Sequence, residues 1–69
     1  MVMFTREHYQ AVAEILHAAR SEYTDSKGNI LERQAFTAIN DVAYGFEVAF
    51  QRDNPAFRKE LFWEVVQHG

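Results

Sequence analysis

Apolar and polar positions divide the chain into three amphipathic stretches separated by two turn-forming segments. The longest stretch runs from Asn29 to Asp53. Leu31, Ala35, Ala38, Val42, Phe46 and Ala49 recur there at alternating three- and four-residue spacing, and Phe36, Ile39, Ala43 and Phe50 widen the stripe. That spacing predicts one helix, roughly 36 Å long at 1.5 Å per residue, with an apolar face broad enough to seat two shorter helices. Gly45 interrupts it near the middle. A glycine there costs roughly 1 kcal/mol relative to alanine, so close approach of another backbone or a bulky aromatic is expected to offset it. Drift under weak selection is the alternative.

A first helix is expected over about residues 6–22. Thr5 suits its N-cap, Glu7 its first turn, and Phe4 with Tyr9 the N′ and N4 positions of a hydrophobic staple. Tyr9, Val12, Leu16, Ala19 and Tyr23 repeat at helical spacing, with Ala13 and Ile15 beside them and Glu7, Gln10, Glu14 and His17 opposite. Thr24 to Gly28 reads as a short connector that makes the first two helices antiparallel neighbours. Asn29 can cap the second helix with Glu32 as its capping-box partner, and Asp25 or Ser26 is an alternative cap. Asp53-Asn54-Pro55 announces a third helix over about 55–67, with Asn54 as N-cap and Pro55 at N1. Phe57, Leu61, Phe62 and Val65 define its expected core face, and His68 suits its negative end. The expected architecture is all-α: three helices in one domain spanning residues 1–69.

Composition narrows the function. At 48% hydrophobic and 14% aromatic, the 69-residue chain is too apolar to be disordered. Its core is small enough that burial between two copies would help. It has no cysteine to staple the fold or to bind a metal as thiolate. A net charge of −3 argues against nonspecific binding to nucleic acid or acidic membranes. The opening stretch reaches charge by Arg6 and does not read as a signal peptide, and no apolar run is long enough to span a bilayer. A soluble, intracellular protein is the expectation.

No residue constellation points to chemistry. His8, His17 and His68 lack metal-ligand spacing, and Glu14 with His17 does not close a site. Ser21, Ser26, Thr24 and Thr37 stand without the paired base a nucleophile needs. Glu60/Glu64 and Asp41/Glu47 read as solvated helix surface, and there is no phosphate loop. Neither an enzyme nor a cofactor is expected. As a DNA reader, the third helix offers Arg58 and Lys59 balanced by Glu60 and Glu64, short of what a recognition helix needs. The anomalies are apolar. Trp63 points nearly opposite the expected core direction of helix three, while Tyr44 and Val48 lie beside Gly45 and away from the main stripe of helix two. These four residues are the interface candidates, because tryptophan and tyrosine are enriched where proteins meet.

Two motifs carry a resemblance. Phe4-Thr5-Arg6-Glu7-His8-Tyr9 followed by Val12-Ala13-Glu14-Ile15-Leu16 is similar to the start of many small uncharacterised bacteriophage proteins, especially of phages infecting actinobacteria. Asn54-Pro55-Ala56-Phe57, followed by Arg58, Lys59 and Phe62, is similar to the way those proteins begin their last helix. The match covers both ends and leaves the middle mostly unmatched. The closing Trp63 to Gly69 departs from the small residues, often with a cysteine, that the pattern has there. The resemblance implies a phage source and a host bacterial cytoplasm, without an activity. Together these readings favour a small non-enzymatic protein that binds a protein partner, itself as a dimer or a host bacterial factor. A nucleic-acid-associated regulator and a virion or assembly component are the alternatives.

Overall fold

The computed structural model describes residues 3–69. Met1 and Val2, part of the opening stretch weighed above as a leader, lie outside the described residues. Three helices follow one another: α1 Arg6–Ser21, α2 Arg33–Asp53 and α3 Lys59–His68. Among the described residues there is no strand, and the one β-bridge joins Thr24 to Ile30.

Thr5 stands at the α1 N-cap in extended geometry. His8 completes the cap from the side where Glu is usual: its Nδ1 accepts from the Thr5 backbone N–H at 2.9 Å, which places the neutral ring's proton on Nε2. Phe4 and Tyr9 both pack on Phe50, at ring separations of 5.2 and 4.7 Å, so the staple closes around a ring from α2.

The second helix starts four residues later than the pattern predicts. Asn29 spends its backbone N–H and its side-chain amide on the Asp25 carboxylate, and Leu31 donates its N–H to the Tyr23 carbonyl at 2.7 Å. Gly28, at φ +85°, turns the chain between them. A hairpin-like loop thus captures Asn29, Ile30 and Leu31, and Glu32 caps α2 instead, accepting from Gln34 and Ala35. The helix then runs unbroken through Gly45 to Asp53.

The third helix also starts four residues late. Asn54 caps the end of α2 by donating its N–H to Phe50, and its side-chain oxygen accepts from Ala56. Phe57 donates back to the Asn54 carbonyl, so Pro55 occupies a turn position and not N1. Phe57 and Phe62 both belong to the buried cluster. On one continuous helix they would sit about 140° apart, so the chain must break between them for both to face inward.

The core is an aromatic knot. Phe50 is 1% exposed and meets Phe4, Tyr9, Phe46, Phe57 and Phe62 at ring separations of 4.7 to 5.8 Å. Ala13 and Leu16 of α1, Ala43 of α2 and Val66 of α3 complete it. Two core assignments need correction. In α2 the buried line is the flank, Ala43 and Phe50 with Ile39 against them, while Ala38, Val42 and Ala49 of the main stripe are exposed and Leu31 lies outside the helix. In α3, Phe62 and Val66 face inward, Val65 is half-buried, and Leu61 is 58% exposed. The most extensive helix pairing is α1 with α3, and the least is α2 with α3. One face of the longest helix is therefore left uncovered.

Candidate interaction surface

That uncovered face belongs to the middle of α2. With core positions at Ala43 and Phe50, helical periodicity sends Asp41, Gly45, Val48 and Arg52 to the opposite side at four-, three- and four-residue spacing. Tyr44 and Val42 flank this row, 60% and 52% exposed. A Cβ built on Gly45 would meet nothing within 4 Å, so no packing among the described residues explains the glycine. The expectation that another element approaches it closely does not hold within one protomer. Val48 is half-buried, and Asp41 and Arg52 are exposed. The one ion pair among the described residues is Arg58 with Glu60, so neither Asp41 nor Arg52 is ion-paired among the described residues.

Trp63 is not part of this surface. Its indole Nε1 donates to Glu47 Oε1 at 2.7 Å, and its ring meets Phe62 edge-on at 6.0 Å. The residue is half-buried against the core. The expected outward direction rested on a core face set by Phe57, Leu61 and Val65 of one continuous helix. Once Phe62 and Val66 take that role, Trp63 falls at the α2–α3 seam. Of the four interface candidates, the fold keeps Tyr44, Gly45 and Val48 together and separates Trp63 from them.

The remaining polar residues hold the bundle together. Arg20 of α1 ties the three helices at one point: Nε donates to Asn40 Oδ1 at 3.0 Å, Nη1 donates to the Val66 carbonyl at 3.3 Å, and the guanidinium lies 4.5 Å from the centre of the Phe36 ring. Partial burial lowers its pKa from the usual value, and it stays charged at any physiological pH. His17, expected on the polar face, places Nδ1 3.1 Å from the same Val66 carbonyl. The end of α3 is thus capped from α1, and His68 is exposed. Asp53 accepts from the backbone N–H groups of Met3 and Phe4 and pins the N-terminal segment to the end of α2. Sequence reasoning missed these long-range contacts, since arginine, histidine and aspartate at those positions carry no local signal for their partners.

A cleft of about 450 Å³ lies between α1, the Asn54–Arg58 turn and α3, with Tyr9, Phe57, Leu61 and Val65 on its walls and Arg6 and Arg58 among its lining residues. Among the described residues no group of three or more His, Asp or Glu side chains could hold a metal ion. No described helix is long and apolar enough to cross a membrane. No family model, curated protein or solved structure matches this chain.

Proposed function

We propose that this chain is a small non-enzymatic protein of phage type that works in the host bacterial cytoplasm by binding a protein partner, itself or a host factor, without a cofactor. The phage source rests on the likeness of Phe4–Tyr9 and Asn54–Phe57 to phage proteins. The binding role is supported by one observation above the others: the outward row of α2 is flanked by exposed Tyr44 on one side and exposed Val42 on the other, around a mid-helix glycine whose Cβ would meet nothing within 4 Å. Exposed apolar side chains on either side of an open helix row are what an interface needs before its partner arrives.

The test uses Tyr44→Glu and Val48→Glu, alone and together, in the full chain. Circular dichroism first establishes that the variants fold. Light scattering up to high micromolar concentration and affinity capture of a defined host protein are then compared with wild type. Loss of self-association or of that capture supports the reading. A wild-type protein that neither self-associates nor captures a partner in a Tyr44- or Val48-dependent way overturns it.

A further inference from the structure

We propose that the outward face of α2 docks a second copy of the chain, antiparallel, with the two-fold axis passing between Gly45 and Val48. This deepens the reading above by naming its partner and rests on it. The first support is area. The chain exposes 5138 Å², against about 4,500 Å² for a compact monomer of its mass. Its radius of gyration is 12.5 Å, against about 11 Å for a compact chain of this length. The surplus is spread over an elongated bundle, 40 × 19 × 15 Å, whose longest helix keeps an open side that a second copy would cover.

The second support is charge. Asp41 and Arg52 are exposed, and neither is ion-paired among the described residues. They are eleven residues apart, three helical turns plus about 20°, so they project from the same face about 16 Å apart along the axis. An antiparallel copy brings Asp41 of each protomer opposite Arg52 of the partner subunit, twice by symmetry. The same register sets Gly45 opposite Val48 of the partner subunit. Without a Cβ at Gly45 the helix axes can approach closely, which explains a glycine that no contact among the described residues explains. The ion pairs act mainly on register, because exposed pairs contribute little affinity.

Sedimentation equilibrium from about 1 μM to about 1 mM, the range that brackets a weak dimer, tests this. Wild type is expected to show a concentration-dependent dimer. Asp41→Arg and Arg52→Asp should each weaken it at least about tenfold by setting like charges face to face, and the double variant D41R/R52D should restore it. Gly45→Leu should abolish the dimer while leaving the helical circular dichroism and melting temperature of the monomer no lower than wild type. A wild type that is monomeric throughout overturns the inference, as does a dimer indifferent to both charge reversals or one the double variant fails to restore. A monomer that still captures a host protein in a Tyr44-dependent way overturns this inference and leaves the broader reading standing.

Discussion

Asp25 and Arg20 show how single side chains set local structure. The Asp25 carboxylate accepts the backbone and side-chain amides of Asn29 and the backbone N–H of Lys27, and these bonds hold its pKa below the usual carboxylate range. A carboxyl depressed in the folded state stabilises fully above its unfolded pKa, near 4, and loses that contribution as pH falls through the folded value. The protection of the Lys27 and Asn29 amides, measured against their intrinsic exchange rates, should therefore stay constant from neutral pH to about 5 and fall below about 4. Protection unchanged down to strongly acid pH would contradict this, and Asp25→Ala should be fast throughout. Arg20 matters through geometry. Lysine lacks the planar fork that donates from two separate nitrogens while lying over the Phe36 ring, so Arg20→Lys should cost about 1–3 kcal/mol in urea denaturation. An unchanged midpoint would show that the node is dispensable.

The helices were legible to different degrees. The start of α1 could be read because its cap is local, with Thr5 and the residues that satisfy it lying within one turn. The starts of α2 and α3 could not, because Asn29 and Pro55 suit either a helix N-terminus or a turn. What settled each case was a competing demand: the Asp25–Leu31 loop in one, and the need of Phe57 and Phe62 to face the same knot in the other. Gly45 was recognised as costly, but its surroundings were not visible in the sequence. Since a Cβ there meets nothing, Gly45→Ala should raise the stability of the isolated protomer by about 0.5–1 kcal/mol, measured by thermal denaturation at high dilution. A destabilised variant would point to a contact at this position within the protomer.

The whole bundle, 40 × 19 × 15 Å, depends on one aromatic ring more than on any helix pair. Phe50 touches aromatic side chains from the N-terminal segment, α1, the second turn and α3 as well as its own helix. Phe50→Ala should cost about 3–5 kcal/mol, enough to unfold most of a domain this small. Loss of cooperative melting, or of the near-ultraviolet circular dichroism of the aromatic cluster, would report it. A variant that melts near wild type would mean the neighbouring rings collapse into the space.

The amino-acid pattern alone determined the class of structure: three amphipathic helices joined by two turns. Period and capping chemistry act over a few residues, so they can be read without knowing where the chain goes next. The tertiary structure decided which of several apolar flanks is buried. Its choice left the Ala38–Val42–Ala49 side of α2 outside, brought Trp63 in to meet Glu47, and set Tyr44, Gly45, Asp41 and Arg52 on an open face. The physical reason is width: α2 carries more apolar surface than two short helices can cover, and only packing selects the part that stays dry.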